Sequence, residues 1–298
     1  MERQARNSRE SHAAAAAPRR AAPGVGQQYE TITSTQNPRV KRLLTLEQKS
    51  QERKATGRFV VEGRRELAHC VEAGFAVECV FVREDVLPTL LPTLPRQADI
   101  LPVSARVYER IAYREGTEGV VAIVESRTLR LASLRLPHNP LLIVLESVEK
   151  PGNLGAVLRS ADAAWADAVI VCDPMTDLYN PNLIRSSVGA VFTVPCVACS
   201  SQECIAFLKE RGLQILTAQL QDSRLYYDTP MTQGTAIVMG TESTGLTSVW
   251  REAADAHIRI PMLGRLDSLN VSVSAAILLF EAVRQRQEAA CRTQASAQ

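Results

Sequence analysis

No apolar run in the 298 residues approaches the ~20 needed to cross a bilayer. The start of the chain also lacks the apolar core of a secretory signal. No G-x-x-x-x-G-K-[ST] occurs, so a nucleotide-triphosphate loop is not expected. No G-x-G-x-x-G occurs either, which removes the dinucleotide fingerprint. No internal repeat is visible. The cysteines number seven, an odd count, which argues against a disulfide framework. They point to a reducing, cytoplasmic setting with mostly buried thiols. One pair, Cys196 and Cys199, has C-x-x-C spacing and so raises a thiol oxidoreductase reading. A zinc site would want a second such pair, and only Cys204 follows nearby. No metal is expected.

What is present is the composition of a globular chain, 46% apolar and 22% charged. The length suits two domains. The net charge is only +2, yet nine Lys or Arg and three acids fall between Pro38 and Arg65. That window therefore carries the positive charge, and the remainder is slightly acidic. A local basic patch is a footprint for a polyanion, although a solvated helix face has the same composition. Residues 1–28, rich in Ala, Arg, Gly and Pro, are expected to form a disordered tail. An organelle transit peptide is weakened there by Glu2 and Glu10.

From about residue 29, helical and strand patterns alternate, which predicts a small α/β domain over 29–127. Asn37 before Pro38 predicts a helix start, Gly74 a helix stop and Ser104 a cap. Strands are expected at 59–63, 77–82, 100–104 and 119–126. A linker at 128–139 follows. The region 140–290 carries continuous apolar runs at 141–146, 168–173, 191–195, 214–220, 235–240 and 257–262. Runs of that kind predict a parallel sheet covered on both faces. Helices are expected near 153–166, 181–190, 201–211 and 247–254, with a long one over 269–291. A tail of 291–298 closes the chain.

Three segments follow strand ends, where ligands sit in open α/β sheets. KPGNLGAVLRSAD (150–162) places Asn153 at a helix start and Arg159 about two turns on. MGTESTGL (239–246) places Glu242 in a tight loop between Gly240 and Gly245. IPMLGRLDSLNVSVSAA (260–276) places Ser268 and Asn270 before the long helix. Taken singly, each has a bland reading. Asn153 suits a cap, Arg159 a surface cation, and Asp267 or Ser268 another cap.

Taken together and in order, they resemble the three motifs of the SpoU-type, or TrmH-like, RNA ribose methyltransferases of the SPOUT superfamily. Asn153, Gly155 and Arg159 match N-x-G-x-x-x-R, and Gly240, Glu242 and Gly245 match G-x-E-x-x-G. Ile260, Pro261 and Met262 with Ser268, Leu269, Asn270, Val271, Ser272 and Val273 match the last motif. The resemblance covers residues 140 to about 288. The ITSTQNPRVK start resembles, more loosely, the family's substrate-binding domain.

The resemblance implies a parallel-sheet domain with a C-terminal trefoil knot, S-adenosylmethionine as methyl donor, a ribose 2′-hydroxyl of RNA as acceptor, and a homodimer. Ribosomal RNA is the first choice of substrate and transfer RNA the second, with a non-catalytic RNA-binding protein as the other alternative. It assigns Arg159 to the reacting hydroxyl, with Asn153, Glu242, Ser268 and Asn270 around it. The donor pocket would involve Gly240, Ile260, Met262 and Leu269, and also Thr217 and Ala218 at another strand end. RNA phosphates would meet Arg39, Lys41, Arg42, Arg58 and Arg64, and Arg185 from the second domain.

Overall fold

The computed structural model describes residues 29–113, 118–241 and 244–296. The expected tail 1–28 and Glu242 lie outside the described residues.

The first domain holds strands β1 (Arg58–Glu62), β2 (Val77–Arg83), β3 (Asp99–Val103) and β4 (Val120–Glu125) in one sheet of order β1-β4-β2-β3. Only β2 and β3 run parallel; β4 is antiparallel to both its neighbours. Helices α1 (Pro38–Gln48) and α2 (Ser50–Thr56) precede β1, and α3 (Arg64–Glu72) follows it. The short α4 (Leu87–Leu90) and α5 (Ala105–Ile111) flank β3. Asn37 caps α1, accepting the Arg39 N–H at 2.9 Å, with Pro38 in the first turn. Ser104 caps α5.

Strand alternation gives this sheet two apolar faces. One packs Val60, Phe81, Val121 and Ile123 against Val40 and Leu43 of α1 and Val107 and Ile111 of α5. The other joins Phe59, Val61, Val80 and Val82 to the core of the second domain.

The second domain is built on a seven-stranded sheet, every pairing parallel, in the order β7-β6-β5-β10-β8-β11-β9. Its strands are β5 (Leu141–Glu146), β6 (Ala168–Cys172), β7 (Cys196–Cys199), β8 (Gln214–Ala218), β9 (Arg224–Leu225), β10 (Thr235–Met239) and β11 (Ala256–Arg259). Between them lie α6 (Pro151–Ala163), α7 (Pro181–Ser186), α8 (Ala190–Thr193), α9 (Ser201–Glu210) and α10 (Ser248–Ala253). The chain then enters α11 (Val271–Ser296). On one face Ile143, Leu145, Val169 and Ile237 meet Leu154 and Leu158 of α6 and Ala275 and Leu278 of α11. On the other, Leu142, Val144, Ile170 and Val238 meet Leu208 of α9 and Trp250 of α10. Burial on both faces is why these strands read as unbroken apolar runs.

Three expectations need correction. Residues 191–195 are not a strand: α8 occupies 190–193, and the strand comes next, at Cys196–Cys199. A run of five residues has too little period to separate a buried helical turn from a strand. The tail expected from 291 is helical as far as Ser296. The linker carries a 3-10 turn at Leu131–Ser133, and its Leu134 is buried in the second domain's core.

Candidate active site

Because the seven strands are parallel, their carboxyl ends share one edge, and the three motif segments leave from that edge. The first follows β5. Lys150, not Asn153, is the N-cap of α6, and Asn153 stands in the first turn. Gly155 lies against the C-terminal end of α7. A Cβ there would stand 2.8 Å from Ser187 N and closer still to the Ser186 hydroxyl, so α6 can approach α7 only with glycine.

The second segment follows β10. Thr241 and Gly245 form a β-bridge that folds the loop back on itself. A Cβ on Gly240 would lie 2.6 Å from Leu246 N and inside contact with the Gly245 backbone. The end of this loop is anchored by Glu146, the last residue of β5. Its buried carboxylate accepts the Thr247 N–H at 2.9 Å and the Thr247 hydroxyl at 2.6 Å. An acid at a strand end has no distinctive signature, so this role is not legible in the sequence.

The third segment runs from β11 to α11. Asn270 precedes α11 and caps it, its Oδ1 accepting the Ser272 N–H at 3.0 Å and the Ser272 hydroxyl at 2.6 Å. The same side chain donates Nδ2–H to Asn153 Oδ1 at 3.1 Å. One amide therefore ties motif one to motif three across 117 residues. Ser268 is exposed and donates to Asp267 at 3.3 Å, so neither of the two is the cap.

Arg159 does not join this pair on the same helix face. Six residues along α6 correspond to a rise of about 9 Å and a turn of about 240°. Arg159 is exposed, whereas Leu154, Val157, Leu158 and Ala161 of α6 face the core.

Of the expected donor-pocket residues, Thr217 is fully buried, with its hydroxyl 2.6 Å from His257 Nδ1. That contact occupies its side chain. Ala218, Ile260 and Met262 are half-buried and Leu269 is exposed. Just beyond β8, the buried Gln219 Oε1 has no hydrogen-bond donor among the described residues. A buried acceptor without a partner is costly. It suits a ligand that brings N–H or O–H groups, and sequence reasoning missed it.

Part of the basic window is neutralised by acids elsewhere in the chain. Arg42 and Arg58 both pair with Glu78, and Arg58 also pairs with Glu125 at 2.8 Å. Arg39 stands 3.9 Å from Asp99. Arg64 donates Nε–H to the Glu118 carbonyl at 2.9 Å. Lys41 is exposed. Two arginines point inward instead. Arg53 is buried against Asp177 at 2.6 Å. Arg185, expected at an RNA surface, pairs with buried Glu62 at 3.3 Å and lies over the Tyr113 ring. It belongs to the junction between the domains. Beside this pair, burial first and Glu62 second push the Glu47 carboxyl up to about 8.

Cys196 and Cys199 fall on opposite faces of the sheet, since residues three apart on a strand point apart. Cys196 packs with the α6 side and Cys199 with the α9 side. The C-x-x-C dithiol reading fails on this geometry.

The model of the SpoU rRNA Methylase family matches residues 140–280, and that of an MRM3-like substrate binding domain matches residues 37–122. A 23S rRNA (uridine(2479)-2′-O)-methyltransferase of Streptomyces viridochromogenes is 32% identical over 272 residues, 86% of this chain and 92% of that protein. The chain belongs to the SpoU rRNA methylase family.

Another relative is the 23S rRNA (guanosine(2553)-2′-O)-methyltransferase RlmP of Bacillus subtilis, 28% identical over 84% of this chain and 97% of that one. Among solved structures, an AdoMet-bound rRNA methyltransferase from Sinorhizobium meliloti superposes with a TM-score of 0.80 at 29% identity, covering 87% of this chain and 98% of that one. An RNA 2′-O ribose methyltransferase gives 0.76 at 40% identity, covering 87% and 100%. The likeness to these solved structures thus extends over both domains. No helix among the described residues is long and apolar enough to cross a membrane.

Proposed function

We propose that this SpoU protein is an S-adenosylmethionine-dependent methyltransferase that modifies a ribose 2′-hydroxyl of ribosomal RNA. The observation that carries the reading is the Asn153–Asn270 hydrogen bond, which joins motifs one and three at the ligand edge of the parallel sheet, next to the Gly240 loop. The residues fit the donor. Gln219 offers a buried acceptor to a molecule rich in N–H and O–H groups, while Gly240 lets the neighbouring loop close on Gly245 and Leu246.

S-adenosylmethionine supplies the methyl group as an activated sulfonium substituent, so the protein has to position the hydroxyl and favour its ionisation. Arg159 is the group assigned to that second task. A guanidinium stays charged at ordinary pH, so it acts by stabilising the developing alkoxide rather than as a base. Asn153 and Asn270 orient the acceptor, and Ser268 is assigned to hydrogen-bond beside it; the role of Glu242 rests on its motif position alone. Gly240, Ile260, Met262 and Leu269 form the donor pocket with the backbone near Thr217 and Ala218.

The face of Arg159, turned away from the asparagine pair, supports a homodimer in which one protomer completes the site of the other. The exposed Leu263 (96%), Leu266 (76%), Val273 and Phe280 supply an apolar surface for that contact. The packing of α11 on α6, after the two motif loops, supports the knotted chain path of the family. Lys41, Arg39 and Arg64 are assigned to RNA phosphates, together with Arg42 and Arg58 once released from Glu78.

The test is Arg159→Ala. Methyl transfer to ribosomal RNA should fall at least ~100-fold, while calorimetry finds S-adenosylmethionine binding within about threefold of the parent. Undiminished transfer rules out the assigned role.

A further inference from the structure

Three cysteine sulfurs converge at the β6–β7 end of the sheet. The Sγ atoms of Cys172, Cys199 and Cys204 all lie within 4.8 Å of one another. Each comes from a different rigid element. Cys172 ends β6 and Cys199 ends β7, and the two are direct register partners in parallel strands, so their side chains share one sheet face. Cys204 stands in the first turn of α9, which packs on that face. The sequence hides this cluster, because Cys172 is 27 residues before Cys199 and belongs to another strand.

We propose that Cys172, Cys199 and Cys204 form a three-thiolate site for a divalent d10 cation of the zinc class. Tetrahedral thiolates at a Zn–S distance of ~2.3 Å stand about 3.8 Å apart, within the envelope the three sulfurs already occupy. A disulfide between Cys172 and Cys199 fits worse. It needs Cβ atoms about 3.8 Å apart, whereas neighbouring strands hold register partners about 4.8 Å apart. Charge favours the cation as well. The carboxylates of Asp173 and Glu203 lie beside Cys199. Three thiolates there carry −3, and a divalent ion reduces this to −1. Each S–H releases its proton to solvent as its S–metal bond forms. Cys172 and Cys204 are fully buried and Cys199 is only half-buried, so metal enters past Cys199 and the fourth position faces that side. The site would clamp β6, β7 and α9. It also adjoins the path from Asp173 through the Ser201 hydroxyl (2.6 Å) to Glu146 (3.4 Å), the anchor of the Thr247 loop end.

The experiment is cobalt(II) titration of the full chain after chelator treatment. One equivalent should bind with a sulfur-to-cobalt charge-transfer band and the intense visible bands of a tetrahedral thiolate site, and zinc(II) should displace it. Cys199→Ser should weaken binding more than about tenfold and lose the charge-transfer band. Cys291→Ser, at an exposed position on α11, should keep both. If Cys199→Ser does not fold, zinc protection of the parent decides: Cys199 should resist alkylation with zinc bound while Cys291 reacts. Absence of the charge-transfer band in the parent, an unchanged spectrum in a folded Cys199→Ser, or equal alkylation of Cys199 with and without zinc overturns the proposal and leaves the three as ordinary core thiols.

Discussion

At the scale of single residues, Asn270 does two separable things: it caps α11 and it reaches Asn153. Serine is as good a cap but is too short to span to Asn153. Asn270→Ser should therefore keep the melting temperature within a few degrees while methyl transfer drops about tenfold or more; thermal denaturation and a tritium-transfer assay check the pair. Asn270→Ala should lose the cap as well, at about 1 kcal/mol.

Glu47 offers a pH signature. Its folded carboxyl titrates near 8 rather than the ordinary 4.5, because it is buried near Glu62. A raised acid pKa means the folded state holds its proton more tightly than the unfolded chain does. The associated stability is fully present below about 4.5 and is lost as pH rises through about 8. Glu47→Gln stays neutral throughout. Urea unfolding at pH 5 and pH 8.5 should show the parent losing more stability than the variant over that interval. Parallel losses in the two would contradict the shifted titration.

At the scale of elements, the contact of α6 with α7 depends on an absent side chain. Gly155 is in a helix, where alanine would ordinarily gain about 1 kcal/mol from propensity. Here the added methyl meets the Ser187 backbone at 2.8 Å, and backbone cannot rotate away. Gly155→Ala should destabilise by about 1–3 kcal/mol, read as a lower urea midpoint. It should also displace the helix that carries both Asn153 and Arg159, so activity falls too. A stabilised variant would show that α6 and α7 are less tightly held than the geometry requires.

At the scale of the molecule, the two domains are joined by a shared core rather than by a flexible linker. Phe59 of β1 stacks on Tyr179 with ring centroids 4.2 Å apart, and the Phe192 ring of α8 lies 5.9 Å from the Phe59 ring. Arg53 is buried across the junction, with two hydrogen bonds to Asp177 and others to the Leu46 and Glu47 carbonyls. Removing one partner of such a pair strands the other charge. Arg53→Ala should cost about 3–5 kcal/mol, and differential scanning calorimetry should then separate the first domain's transition from the second's. Joint substitution of Arg53 and Asp177 by apolar residues should restore most of the loss.

The sequence by itself determined the fold class and the placement of the motifs. Unbroken apolar runs such as 141–146 and 235–240 are what strands buried on both faces require, and caps such as Asn37 and Ser104 act through neighbours only two or three residues away. These signals are local, so they survive in one dimension. What only the tertiary structure decided is long-range. Arg185 and Arg53 look like any surface arginine until Glu62 and Asp177 are brought beside them. The apolar run at 191–195 is buried at the domain junction, and burial suits a helical turn as well as the expected strand, so only the packed structure separates the two. The sulfurs of Cys172, Cys199 and Cys204 meet only because β6 and β7 lie side by side and α9 folds over them. Charge pairing, burial and ligand geometry depend on distance in space, and sequence separation carries almost none of that information.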